Sequence, residues 1–560
     1  MKKEKNYFHI KEFGENVFFF STEDNPEKIQ EVLDGIYQKQ EGNHFGEERY
    51  AIYFMPGKYD KKIKPMVGFS TQISGLGTSP EQTILPFLNC QAKWEHVPEN
   101  NVALSNFWRG IENLTVTDSV MWAVSQATFM RKMKIEGDLY LHDDGGWASG
   151  GFMADCKING TVDAGPQQQW LSRNSDWNGW KSQGWNMVFA GIEEGKAPKG
   201  EWPEKPYTVL GEVEEMWEKP YLVYDEKQGF FISVPMARRF SKGIDWTGKQ
   251  EKKLSINEFY IATAKKDTSV TLNEALRRGK HLLFTPGIYR IEEPLLVEKE
   301  GTVLLGMGLA TLRSEKECEC ICKITGNGVR MAGILFDSGE GRTKRMLQIG
   351  EKKVKNEVPQ IPIVLSDLFF RIGGAFDYDT CVETALEIDS DYVIGDNFWI
   401  WRADHGRGVG WNKNPADTGL VVNGDRVTIY ALMVEHFKKH QVIWNGEEGK
   451  TVMYQCETPY DPPGQDEWMS HEGRVNGYAS YVVDKAVKKH HAVGMGIYSY
   501  HRDAVLDLEN AIEAPETEEV SFKNICTVML AGNPGINHII NGTGKGVRER
   551  GAREILTKYP

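Results

Sequence analysis

A strand-like run ending in Pro-Gly-x-Tyr occurs twice in this chain, as FMPGKYD at 54–60 and as FTPGIYR at 284–290. The flanks repeat with it. Upstream lie two amphipathic helical patterns. One is EDNPEKIQEVLDGIYQKQ (23–40), with apolar Ile29, Val32, Leu33 and Ile36; the other is DTSVTLNEALRRGKH (267–281), with Leu272, Ala275 and Leu276. Downstream, PMVGFSTQISGLG (65–77) answers GTVLLGMGLATL (301–312), and FWRGIENLTV (107–116) answers VRMAGILFDSG (329–339). Four features in one order mark an internal duplication, so the two halves share one kind of fold.

After each entry helix the sequence is a succession of short β-runs broken by Gly, Asn and Asp, among them MKIEGDLYL, GTVLLGMG and KTVMYQCETPY. Their recurrence at roughly 20–25 residues predicts an all-β fold of two tandem right-handed parallel β-helices, pectate-lyase-like solenoids in which stacked coils bury a continuous core. Each entry helix is expected to cap the open end of its solenoid, where the first coil is otherwise unpaired. The expected division is a first β-helix over 1–199, a Pro-rich connecting arm over 200–262 and a second β-helix over 263–560. A pair of β-sandwiches is the alternative that the strand pattern also admits.

At 560 residues the chain exceeds a single core, in keeping with two domains. No apolar run approaches the roughly 18 residues of a membrane span. The start, MKKEKNYFHIKEFGENVFFF, lacks a cleavage site after an apolar segment, so a cytoplasmic location is the expectation for the sequence as it stands. The net charge of −13 disfavours nucleic acid and polyanionic glycans and favours a neutral ligand. The eight cysteines include no CxxC pair. In a strand, CECIC (318–322) puts three sulfurs on one face, read here as free thiols. No metal or cofactor is expected, and nothing in the sequence speaks to oligomeric state.

Sixteen tryptophans are many for this length. The segment QQQWLSRNSDWNGWKSQGWN (167–186) mixes Trp170, Trp177, Trp180 and Trp185 with Gln, Asn, Ser and Arg173, a blend that reads as too polar for a core strand. Aromatic faces beside hydrogen-bonding groups suit a sugar, and Trp147, Trp401 and Trp444 join the same list. WIWRADHGRGVGW (399–411) adds Arg402, Asp404 and His405. Glu435 and Glu457 lie 22 residues apart, about one coil. Stacked coils are ~4.8 Å apart, so the two carboxylates could share one cleft, and their mutual repulsion would keep one protonated. Gln126 and Ser149 are 23 residues apart in the first copy, again one coil, and could hold a water or a sugar hydroxyl. A Ser149–His405–Asp404 triad has no nucleophile-elbow sequence behind it.

At these residues the sequence resembles glycoside hydrolase family 55, β-1,3-glucanases with two right-handed β-helices in one chain. The matching pieces, in family order, are SQAT (125–128), SGGFMAD (149–155), WRADH (401–405), EH (435–436) and YQCETPYDPP (454–463). The resemblance implies an inverting exo-acting enzyme with its site between the solenoids. It implies Glu457 as general acid, Glu435 as a supporting carboxylate, and Gln126 and Ser149 as holders of the attacking water. Substrate contacts would fall to Trp147, Trp170, Arg173, Trp401, Arg402, Asp404, His405, Trp444 and Tyr460. Asp143, Asp144 and Asp404 are candidates for a base. The chain departs from the fungal pattern at Arg402, where Thr is expected, and after Tyr460, where Asp-Pro-Pro replaces an aromatic residue. The residues alone also admit a lyase or transferase on another neutral glycan, or a non-catalytic glycan-binding solenoid.

Overall fold

The computed structural model describes residues 9–92, 101–249, 251–351 and 361–560. Two helices stand at the two predicted entries. Helix α1 (Pro26–Gln40) starts where the Asn25 side chain accepts from the Lys28 N–H and Pro26 supplies a preset first turn. Its buried face, Ile29, Leu33 and Ile36, closes the first core. Helix α2 (Ser269–Arg277) opens with a Thr268/Thr271 capping box and buries Leu272, Ala275 and Leu276 against the second core.

The first solenoid contains a nine-stranded parallel sheet in chain order, from Val17–Phe20 to Tyr207–Leu210, backed by an eight-stranded sheet. Its corners explain the scattered Asn and Asp. Glu112, Arg131, Ala154, Arg173 and Ala190 stack in register. The residues that follow them, Asn113, Lys132, Asp155, Asn174 and Gly191, all take left-handed backbone. Asn113 also donates its amide to the Gly75 and Gly77 carbonyls at the end of the neighbouring strand.

The second solenoid runs from Phe259–Ala262 to Arg553–Tyr559, parallel until its last strand, which pairs antiparallel. A column of left-handed residues, Gly333, Asp367, Asn397, Ala431, Met453 and Gly494, bends successive strands at one level. The boundaries differ from expectation. The first parallel ladder continues past 199, because Met187–Ala190 pairs with Tyr207–Leu210, and Phe259–Ala262 already belongs to the second ladder. Between them the chain folds into antiparallel hairpins, Val213–Trp217 with Ala237–Ser241, and Tyr221–Asp225 with Gly229–Pro235 and Glu251–Ser255.

The solenoids lie side by side and share a third apolar cluster, in which Phe107, Trp108, Phe129 and Phe152 of the first meet Phe369, Trp399, Trp401 and Met433 of the second. Beside it is a buried charge network. Arg131 forks onto Asp367 (2.9 and 2.7 Å) and reaches Asp396 (2.7 Å). Arg173 joins Asp396 (2.8 Å) to Glu218 of the hairpin segment (2.6 and 2.8 Å). These contacts fix how the first solenoid faces the second. The thiols of CECIC are buried and free, Cys322 within the second core, while Glu319 is exposed.

Candidate active site

The coil spacing places Glu457 directly after Glu435. Met433 pairs with Gln455 in the parallel ladder, and one turn further the His436 N–H donates to the Glu457 carbonyl (2.9 Å). Glu435 is buried and both its oxygens are engaged: Oε1 accepts from Gln126 Nε2 (2.8 Å) and Gln455 Nε2 (2.6 Å), and Oε2 from Trp399 Nε1 (2.8 Å). Gln126 comes from the other solenoid. Its amide oxygen accepts the Ser149 hydroxyl (2.5 Å), and the Ser125 hydroxyl accepts the Ser149 N–H (2.9 Å). A polar chain, Ser149 to Gln126 to Glu435, therefore crosses the interface.

Glu457 accepts a short hydrogen bond from the Tyr460 hydroxyl, and its side chain is 12% exposed, open to the cleft. Burial pushes its carboxyl up to about 7; the Tyr460 hydrogen bond and His405 pull it down, while Asp404 pushes it further up. Glu435 is held well above the usual carboxylate range by burial first and by the Glu457 charge second. Asp404 moves the other way. Burial would raise it, but the imidazoles of His436 and His405 outweigh that cost and keep it well below the usual range. His405 Nδ1 sits 2.9 Å from Asp404.

At the centre is His436. Its Nε2 is 3.7 Å from Asp404, 3.9 Å from Glu457 and 4.0 Å from Glu435. Its Nδ1 is 3.2 Å from the Thr458 carbonyl, which can only accept, so Nδ1 carries a proton and Nε2 is turned toward the carboxylates. Burial lowers its pKa despite Asp404. The site thus holds one carboxylate kept ionised, Asp404, and two pushed toward protonation, an arrangement made for proton delivery near neutrality.

The sequence-predicted residues divide sharply. Glu435, Glu457, Gln126, Ser149, Asp404, His405 and Tyr460 come together. Trp147 stands at the rim, 42% exposed, with Trp185 against it (5.6 Å) and Tyr498 beyond (5.4 Å). Trp170 and Trp444 do not face a ligand: each is wholly buried in a solenoid core. Trp401 is a packing residue as well, stacked on Trp399 (4.8 Å) in the interface cluster. Arg173 spends its fork on Asp396 and Glu218, and Arg402 on Asp461 and backbone carbonyls, so neither guanidinium reaches substrate. The polar segment 167–186 is divided: Trp185 stands beside Trp147 at the rim, while the Gln residues at its start serve the coil. Gln167 donates to the Val124 and Leu141 carbonyls, showing that its polarity serves coil corners. Asp143 is buried under the Ala92 N–H and Asn101 amide, and Asp144 sits on an exposed turn.

Sequence reasoning passed over Trp399, Gln455, His436 and Asp461. Gln455 had a signal: two residues before Glu457 in one strand, it must share that face. Trp399 stands in the same relation to Trp401.

Comparison with known proteins bears on the fold and the family. Residues 259–457 match the family model of the LAM55 pectate lyase-like domain. The chain is 39% identical over 543 residues to an exo-β-1,3-glucanase of Streptomyces sp. (strain SirexAA-E / ActE), covering 95% of this chain and 87% of the relative. The solved structure of sacteLam55A from Streptomyces sp. SirexAA-E superposes with a TM-score of 0.92 at 38% identity, covering 98% of this chain and 99% of that one. A variant of sacteLam55A in complex with glucose gives 0.91 at 38% identity, covering 98% of each chain.

Proposed function

The chain belongs to glycoside hydrolase family 55 and is a glycoside hydrolase acting on carbohydrate, and from that premise we propose that it is an inverting exo-β-1,3-glucanase whose general acid is Glu457. The observation that carries the assignment of the acid is the pairing of a cleft-facing carboxyl raised to about 7 with a second, buried carboxylate one coil away. Protonated Glu457 gives its proton to the departing glycosidic oxygen. Across the sugar, Ser149 is the natural holder of the attacking water. Its own proton is committed to Gln126, leaving the Ser149 oxygen free to accept from that water. Gln126 is anchored in turn by Glu435, and the proton the water loses on attack passes through the Ser149 hydroxyl and the Gln126 amide to Glu435, whose raised basicity suits it to receive that proton. Inversion needs no covalent intermediate and suits a water held opposite the acid. Trp147, Trp185 and the Asp404–His405 pair line the mouth where further sugar rings would lie. A neutral oligosaccharide or polysaccharide suits a cleft whose nearest charges are carboxylates and whose chain is acidic overall; a nucleic acid does not.

Laminarin tests the substrate and the exo mode together. Chromatography at early times is expected to show one small product accumulating alone, while a ladder of intermediate oligomers would indicate internal cleavage and no release would remove the β-1,3-glucan assignment.

The pH profile tests the acid. Glu457 must be protonated to act, so kcat/KM should fall as pH rises through about 7. Tyr460→Phe removes the hydrogen bond that stabilises the ionised form, so the acid's pKa rises and this basic limb moves to higher pH. A limb that stays in place or moves down contradicts the role given to Tyr460.

A further inference from the structure

One ion pair lies against the catalytic coils without touching the cleft. Arg402, wholly buried, forks onto Asp461 (2.8 and 2.7 Å). Its remaining donors go to backbone carbonyls: His436 (3.1 Å), Asn414 (2.9 Å) and Gly410 (3.0 Å). The guanidinium therefore grips the carbonyl of His436, the residue after Glu435, and the side chain of Asp461, the residue after Tyr460. The Tyr460 carbonyl is tied by the N–H groups of Arg502 (3.1 Å) and Asp503 (3.3 Å), and its ring stands edge-on to His436 (4.4 Å between centroids). Those two rings are what meet Glu457.

A pair this deeply buried is a poor device for stability alone, since desolvation offsets most of its attraction. A planar two-pronged pair is, however, a good device for geometry, because it fixes both distance and orientation. We propose that Arg402 and Asp461 form a positioning clamp for the reaction, holding the Tyr460 hydroxyl on Glu457 and the His436 ring among the three carboxylates. The proposal rests on Glu457 being the general acid. The groups facing Glu457 are Tyr460, Asp404, His405, His436, Glu435, Tyr498 and Cys456, and those facing Asp461 are Arg402, His436, Lys438 and Arg502. Loosening the clamp is expected to act on Glu457 through Tyr460.

The test is the kcat/KM pH profile of the full chain carrying Asp461→Asn, Arg402→Lys, Tyr460→Phe, or Asp461→Asn with Tyr460→Phe. Asp461→Asn and Arg402→Lys should each lower kcat about 10- to 100-fold, with KM changed less than about threefold, as expected for a displaced catalytic group. Each should move the basic limb upward, in the direction of Tyr460→Phe, and the double variant should be no worse than the poorer single, because both act through one contact. A pair that serves packing alone would lower the melting temperature, leave the limb at the wild-type pH and multiply with Tyr460→Phe; that result overturns the proposal. If Asp461→Asn does not fold, Arg402→Lys decides, since it keeps the charge. Failure of both to fold would make the pair a determinant of the fold and also overturn the clamp. Glu457→Gln retaining activity would instead remove the reading beneath it, so the two failures are distinguishable.

Discussion

Glu457→Gln is expected to lower kcat by about 10²- to 10⁴-fold, the usual contribution of a general acid, and to abolish the basic limb near pH 7. The substitution is nearly isosteric, and its amide oxygen can still accept from Tyr460, so circular dichroism and melting should stay close to wild type. The loss should fall on kcat rather than KM, because the proton is given only as the glycosidic bond breaks. Substrates with a better leaving group should suffer less, since they need less help from an acid. A variant that keeps over half the activity would remove Glu457 from its role.

The second large effect concerns how the solenoids are held together. Asp396 accepts from both Arg131 (2.7 Å) and Arg173 (3.2 and 2.8 Å), and all three side chains are buried. Asp396→Ala leaves two guanidinium groups partly unpaired in a buried interface, a change that typically costs about 3–5 kcal/mol. The pairs need not be strong net stabilisers for this to hold, because the cost is that of orphaning a buried charge. Arg131 retains Asp367 and Arg173 retains Glu218, so folding survives while the interface weakens. Melting should begin several degrees lower, and activity should decline with it, since Gln126 reaches Glu435 only across that interface. A melting temperature within about 1 °C of wild type would show that the network does not hold the solenoids in place.

Much of this site was legible because a β-helix converts sequence spacing into spatial stacking. The 22 residues from Glu435 to Glu457 and the 23 from Gln126 to Ser149 are each one coil, and both pairs meet. Spacing says nothing about how two solenoids face one another. The Gln126–Glu435 hydrogen bond joins residues 309 positions apart, and only the docked structure shows it. Composition misled in one respect. Trp beside Gln and Asn looks like a sugar platform, yet in a coiled fold the polar side chains satisfy corner carbonyls while the indole fills the core, as Gln167 and Trp170 do. Arg402 was drawn toward substrate for a related reason: an arginine beside Asp404 and His405 in sequence looks available, and its partner Asp461 lies 59 residues on. The two places where the chain departs from the fungal pattern, Arg402 and the segment after Tyr460, turn out to hold the two halves of one ion pair.

The central claim is that water attacks directly while Glu457 protonates the departing oxygen. It is tested most directly by following the anomeric protons of freshly released glucose by NMR during cleavage of a β-1,3-linked oligoglucoside. The account predicts α-glucose first, with the β-anomer appearing only at the rate of spontaneous mutarotation, and no early signal from Glu457→Gln. β-Glucose as the first product would mean retention through a covalent intermediate, and it would contradict direct attack by the water assigned to Ser149 and Gln126.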